Sequence, residues 1–294
     1  MHNNEILSEL KRLNASIERL VKGIVGILND GETVLPQDYR AYRIEVRGAG
    51  LKVTGIDNIT RTRLSELVGI DNVINTVKRN TRQFLKGYPA HDLLIYGPRG
   101  TGKSSCVRAL LNEFEELRMI EVEKKALLFL HEIQALVRRE PHRFILFCDD
   151  LSFHDAEDER LRLKTLLEGG IEERPGNMII YATSNRRHLV PEKQNENIPQ
   201  QDEELHPSDA LEEKISLSDR FGLRLGIGVF TPELYIDIVK HYMKLRGLGE
   251  ADEGVIRDAM NWAMAHGNFS GRTAEYFVRD LIGRRLIEDP SKPA

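Results

Sequence analysis

The sequence is short of several things, and each shortage excludes a class of protein. It has two cysteines in 294 residues, Cys106 and Cys148, far apart and without the partners that a disulfide framework or a cysteine-built zinc site needs; this suits a reducing compartment. Aromatic residues make up 6%, with one tryptophan, Trp262, and do not interleave with the basic clusters, so no stacking platform for single-stranded nucleic acid is indicated. No run approaches the roughly 20 apolar residues of a membrane span. The start, MHNNEILSELKRLN, carries charges where a secretory leader has its apolar stretch. Positive charge is not in excess either. Lys and Arg number 42 against 46 Asp and Glu, a net charge of −4, so contact with nucleic acid or an anionic surface has to be a local patch. A cytoplasmic chain without membrane contact is expected.

What is present describes a large globular chain. Hydrophobic residues at 40% and charged residues at 30% suffice for a substantial core, and the length predicts two domains or one with an appendage. Ile6, Leu10, Leu13, Ile17, Leu20, Ile24 and Ile27 recur at steps of four and three, one stripe of an amphipathic helix that either packs on the protein's own core or docks a partner. Gly31 and Pro36 stop it, and short strand-like pieces follow at 41–46 and 51–53.

From Leu67 onward, apolar runs at 93–96, 119–122, 144–148, 178–182 and 225–230 alternate with helical patterns at 73–84, 103–117, 124–138 and 160–168. Past Pro232 the runs cease and helices are expected at about 233–246, 252–265 and 271–287, set off by Gly247, Gly249 and Gly267. The fold class is therefore α/β: a five-stranded parallel sheet in a domain over 67–232, a small all-helical lid over 233–294, and an N-terminal helix with short strands over 1–66. Residues 192–213 form an acidic Gln/Asn/Glu-rich stretch.

The chemistry concentrates in three segments. Gly97, Pro98, Arg99, Gly100, Thr101, Gly102, Lys103 and Ser104 match G-x-x-x-x-G-K-[ST], directly after the strand LLIY and at the opening of a helix that continues with Ser105. Glycines in such a loop let successive amides point at a phosphate chain, and the helix start adds the positive end of its dipole. Lys103 would reach the β- and γ-phosphates, and Ser104 would put its hydroxyl on Mg²⁺. The strand FILFC ends in Asp149 and Asp150, at the edge where doubly wound sheets bind ligands. Asp149 would hold Mg²⁺ through water and Asp150 would orient or deprotonate the attacking water; either acid alone could instead cap a turn.

In that order, the P-loop, the acidic strand, MIIYATSN, Asp219-Arg220-Phe221 and Gly271-Arg272 resemble an AAA+ ATPase over about 67–288. The resemblance implies ATP and Mg²⁺ as ligands, Asn185 positioning the water, Arg220 as a finger acting on a neighbouring subunit's nucleotide, and Arg272 reaching in from the lid. It also implies an adenine pocket at Leu67-Val68-Gly69-Ile70-Asp71, with Val68 and Gly69 contacting nucleotide. A trans-acting arginine implies a homo-oligomer exchanging ATP and ADP. The segments GIDNVINTVKRNTRQFLKGYPAHDLLIYGPRGTGKSS, FCDDLSF, YATSNRRHLVPE and ELHPSDALEEKISLSDRFGL further resemble a bacterial AAA+ family defined as a domain of unknown function. One departure from the wider superfamily stands out: Asp150 takes a place where Glu is usual, and the shorter side chain leaves open slow hydrolysis or a switch role.

The expected function is Mg²⁺-dependent ATP binding and hydrolysis coupled to core, lid and intersubunit movement on an unidentified client, a protein or a local nucleic-acid contact. The alternative is a slow-turnover, ATP-gated adaptor docking through its N-terminal helix. Arg186-Arg187-His188 is a basic cluster or a solvated turn, and Lys78, Arg79, Arg82 and Lys86 share one helix surface. His154 and Asp155 have no metal-site spacing, and Trp262 with Met260 and Met264 is expected in the lid core.

Overall fold

The computed structural model describes residues 34–48, 50–151, 173–185 and 218–288. The expected helices over 6–27 and 160–168, the acidic stretch 192–213, Arg186-Arg187-His188, His154 and Asp155 lie outside the described residues.

Among the described residues, seven strands make one sheet: β1 (Ala41–Arg47), β2 (Gly50–Gly55), β3 (Leu93–Tyr96), β4 (Leu117–Val122), β5 (Arg143–Cys148), β6 (Met178–Ser184) and β7 (Leu223–Gly226), in the order β2-β1-β4-β5-β6-β3-β7. The five expected strands are all present and parallel, and the sheet has two strands more than expected, one parallel and one antiparallel. β1 pairs parallel with β4, and β2 runs antiparallel against β1, so the pieces at 41–46 and 51–53 extend this same sheet. In β1 the buried Tyr42 and Ile44 alternate with Arg43 and Glu45, the pattern of a strand covered on one face.

The inner strands read as continuous apolar runs because helices cover both faces. Ile145 and Phe147 point to one core, shared with Val77, Leu110 and the lid's Tyr235 and Phe277; Phe144, Leu146 and Cys148 point to the other, with Tyr42, Ile133 and Val137. Both cysteines are buried and free, and burial pushes each thiol up to about 12, which removes them as nucleophiles near neutral pH.

Among the described residues, six α-helices accompany the sheet: α1 (Asp71–Leu85), α2 (Lys103–Glu113), α3 (Leu130–Arg138), α4 (Pro232–Leu245), α5 (Glu253–Ala265) and α6 (Gly271–Glu288). Helix α1 buries Val73, Ile74, Val77, Thr81 and Phe84 on one stripe and closes with Tyr88 N–H on Gln83 O at 2.9 Å. Helix α2 ends before the expected Leu117, which belongs to β4. Arg40, at the entry to β1, donates Nη2 to Leu111 O at 2.5 Å and Phe114 O at 2.6 Å, taking carbonyls that a continuing helix would use. The stretch expected as one helix over 124–138 starts as a 3-10 segment, Lys124–Phe129, before α3. Strand β7 starts and stops earlier than expected; after Ile227 N–H bonds Tyr96 O at 2.8 Å the chain turns into the lid.

The lid helices carry their own caps. Thr231 accepts from Leu234 N–H at 3.2 Å at the start of α4, and Asp252 accepts from Val255 N–H at 2.8 Å at the start of α5. Their core joins Tyr235, Ile238, Val239, Met243, Ala259, Ala263 and Phe277. Trp262 meets Phe277 with ring centroids 6.1 Å apart and Met260 packs alongside, whereas Met264 is 61% exposed and lies outside that core. No helix among the described residues is long and apolar enough to cross a membrane.

Candidate nucleotide site

The loop after β3 is held by its own contacts. Gly97 donates N–H to Ser184 O at 3.2 Å, and at φ +147° it lies so close to β7 that a Cβ there would stand 2.3 Å from Ile227 O. Thr101, 3% exposed, donates Oγ1 to Pro98 O at 2.9 Å and closes the turn on itself. Helix α2 then starts at Lys103, after a left-handed Gly102 and with no side-chain cap on its first amides.

Lys103 is buried, and its Nζ donates to Gly97 O at 2.9 Å, Pro98 O at 2.6 Å and Asn185 Oδ1 at 3.0 Å. Burial holds its ammonium below the ordinary lysine value; Asp150 and Asp149 pull the other way, and Arg272 and Arg99 add to the lowering. Ser104 donates Oγ to Asp149 Oδ1 at 2.5 Å. Asp149 also accepts from Thr183 Oγ1 at 2.5 Å and from Arg108 Nη2, on Oδ2, at 2.7 Å. Burial alone would raise the Asp149 carboxyl, but the hydroxyls of Ser104 and Thr183 and the charge of Arg108 outweigh it and hold it below the usual carboxylate range.

Asp150 adopts a left-handed φ of +50°, stabilised by its N–H on Thr183 Oγ1 at 3.0 Å and on Asp149 Oδ1 at 3.1 Å. Its carboxylate accepts from Asn185 Nδ2 at 2.5 Å. Asn185 therefore bridges Lys103 and Asp150.

These groups share a cleft of about 490 Å³, in the range of small-ligand sites. Arg99, Gly100, Thr101, Gly102, Lys103, Ser104, Ser105, Asp149, Asp150 and Asn185 line it from the core side, and Arg272 and Tyr276 from the lid. The lid start is locked onto the loop: Arg272 N–H reaches Gly100 O at 3.3 Å, and a Cβ on Gly100 would meet Ser270 Oγ at 2.7 Å. Leu67, Val68, Phe230, Ile238 and Tyr242 give one end an apolar lining suited to a base. Gly69 sits behind that wall, against Leu234 of α4.

A larger, shallower groove of about 780 Å³ lies across Leu67 and Val68 and has Arg61, Arg63 and Lys78 on its walls. Lys78 is already paired with Glu113 at 2.6 Å, and no P-loop residue borders that groove.

Arg220 does not border the cleft. Leu223 is level with Leu93 and Gly226 with Tyr96, so Arg220, ahead of β7, sits at the amino edge of the sheet, opposite the P-loop. Side chains that the sequence reading assigned no role complete the site: Thr183, Arg108 with its partner Glu121, Tyr242, Tyr276 and Phe230. Thr183 stands inside the YATSN segment, so its position was readable though its bonds were not.

The residues present fit a magnesium nucleotide. The donor set is hard oxygen from Ser104 and Asp149, which leaves further positions for phosphate oxygens and water. Among the described residues no group of three or more His, Cys, Asp or Glu side chains gathers elsewhere as a metal site.

The parallel sheet, the Gly97–Ser104 loop at its carboxyl edge and the helices that close over it define an AAA+/P-loop NTPase-like fold. The chain belongs to the family described as "Protein of unknown function (DUF815)", whose model matches residues 37–285. It is 28% identical over 229 residues to proteasome-activating nucleotidase 2 of Haloferax volcanii, an alignment covering 65% of this chain and 52% of that protein. Among solved structures, the Thermotoga maritima RuvB Holliday junction branch migration motor aligns at 18% identity and a TM-score of 0.49, over 72% of this chain and 61% of that one. A point mutant of the same RuvB aligns at 14% and 0.45, over 76% and 73%. The chain thus spans about half the length of the curated relative it matches.

Proposed function

We propose that this protein binds ATP with Mg²⁺ in the cleft between core and lid and hydrolyses it, passing the change to a macromolecular client. The observation that carries this reading is the convergence of Lys103, Ser104, Asp149, Asp150 and Asn185 with the lid's Arg272 on one cleft. The likeness to a protein named a nucleotidase supports it.

In this reading the Lys103 ammonium leaves the carbonyls of Gly97 and Pro98 and donates instead to the oxygens of a phosphate chain, which gives it the charge partner that burial calls for. Ser104 and Asp149 hold Mg²⁺, which supplies charge neutralisation at the phosphate oxygens. Asp150, fixed through Asn185, accepts the proton of the attacking water. Arg272 and Tyr276 join α6 to the occupied cleft, so the lid over 233–294 responds to the γ-phosphate while the core over 67–232 holds the rest. The arm over 1–66 attaches through β1 and β2 at the far edge of the sheet.

Arg220 lies on the edge away from its own cleft, which suits action on a neighbouring copy's nucleotide in a cytoplasmic homo-oligomer. The test is steady-state phosphate release by the wild-type protein and by Lys103→Ala. Sustained turnover that vanishes in the variant is expected, and equal turnover in both would sink the reading. The short Asp150, held back by Asn185, favours a second reading, a slow ATP-gated adaptor. Release of less than one phosphate per site over minutes would select it.

A further inference from the structure

Arg108 lies one turn along α2 from Ser104 and borders the same cleft. Its Nη2 alone makes two bonds, to Asp149 Oδ2 at 2.7 Å and Glu121 Oε1 at 2.6 Å, and its guanidinium carbon stands 5.3 Å from the Phe147 ring centroid. Glu121 is itself held from behind: its other oxygen accepts from Arg43 Nη2 at 3.1 Å, across the β1–β4 register in which Arg43 and Glu121 are direct partners.

The consequence falls on Asp149. The terminal torsion of an aspartate is soft, so one anchored oxygen does not fix the plane of the carboxylate. Here both are anchored, Oδ1 by the hydroxyls of Ser104 and Thr183 and Oδ2 by Arg108. A bare guanidinium so close to a metal-holding carboxylate would repel a divalent cation. Glu121 offsets that charge, so what the pair contributes is orientation rather than field.

We propose that Arg108, anchored by Glu121, is a positioning residue of the metal site: it sets the plane of Asp149 so that this carboxylate and Ser104 present a fixed oxygen pair to Mg²⁺. This rests on the nucleotide reading above. No step of that reading uses Arg108, and its sequence neighbourhood on α2 gives no sign of the role.

The test is the double variant Arg108→Gln, Glu121→Gln, which removes one charge of each sign and keeps the net charge. Binding of Mn²⁺ is followed by electron paramagnetic resonance in the presence of a non-hydrolysable ATP analogue, and the affinity for a fluorescent ATP is measured separately in EDTA. The Mn²⁺ dissociation constant is expected to rise about tenfold, as for other losses of outer-sphere support. Affinity in EDTA should stay at the wild-type level. Arg108→Lys should recover most of the Mn²⁺ affinity, because one nitrogen makes both bonds. Unchanged Mn²⁺ affinity in the double variant overturns the proposal. If that variant melts well below the wild type, Glu121→Gln alone serves, since it frees the anchor and leaves an uncompensated cation; a wild-type Mn²⁺ affinity there overturns it equally. Wild-type protein that binds neither fluorescent ATP nor Mn²⁺ sinks the nucleotide reading and this inference with it, whereas normal wild-type binding with indifferent variants sinks only the role of Arg108.

Discussion

Thr183 Oγ1 donates to Asp149 Oδ1 at 2.5 Å while accepting the N–H of Asp150 at 3.0 Å. One buried hydroxyl thus sets both acids of the strand end, orienting the first and holding the left-handed backbone of the second.

Replacing that hydroxyl by a methyl of the same shape isolates its role. Thr183→Val should cost about 1–2 kcal/mol of stability, from a buried hydrogen bond removed and an amide left with a poorer partner. Phosphate release should fall by about 10- to 100-fold, as when outer-sphere support of a metal ligand is lost. Thr183→Ser keeps the oxygen and should retain most of both. Equal turnover in the Val and Ser variants would show that the strap does not matter.

Backbone packing around the loop gives a second prediction. In Gly97→Ala the new methyl would stand 2.3 Å from Ile227 O, a main-chain atom that moves only if β3 and β7 separate. About 1–3 kcal/mol of overpacking cost is expected, with nucleotide affinity lost in parallel. Gly228→Ala, where nothing lies within 4 Å, is the control and should melt with the wild type. A thermal melt of the two variants decides it.

Where the sequence proved legible, the signal was local. Loop 97–104, the Asp149-Asp150 pair and Asn185 follow strands whose apolar runs are unbroken because both faces are covered, so motif and context could be read together. The early end of α2 was not readable, because it depends on Arg40, 71 and 74 positions away from the carbonyls it takes. The merging of β1 into the sheet has the same origin, a pairing with β4 across long separation. Arg108 looks in sequence like any helix arginine; its identity as an anchor comes from Asp149, 41 residues on. Local pattern names the loop and the acids, and long-range contact supplies the groups that hold them.

Arg220, at the sheet's amino edge, predicts complementation between subunits. Arg220→Ala should bind fluorescent ATP as the wild type does, yet release phosphate at least ~10-fold more slowly, as for removal of a charge-stabilising donor. Lys103→Ala has the converse defect, an intact finger and a ruined cleft. Mixing the two inactive variants should restore part of the turnover, because a Lys103→Ala subunit can offer Arg220 to a neighbour whose cleft is whole. A mixture no more active than either variant alone would mean that Arg220 does not act across an interface.

The buried ammonium of Lys103 fixes how affinity should depend on pH. Burial lowers its pKa in the free protein, and a phosphate chain favours the charged form, so binding raises that pKa again. Below the free-protein value the lysine is protonated in both states and affinity is flat. As pH rises through that value, binding has to take up a proton, and affinity falls by up to tenfold per pH unit until the raised, bound-state value is reached. The fall should begin below the ordinary lysine pKa of ~10.4. Calorimetric titration with ATP in two buffers of different ionisation enthalpy measures the proton directly. Net uptake that grows as pH rises toward the ordinary lysine value is expected, and should be absent from a Lys103→Arg variant, whose guanidinium stays charged throughout. Proton release over that rise, or the same uptake in the arginine variant, would place the titrating group elsewhere.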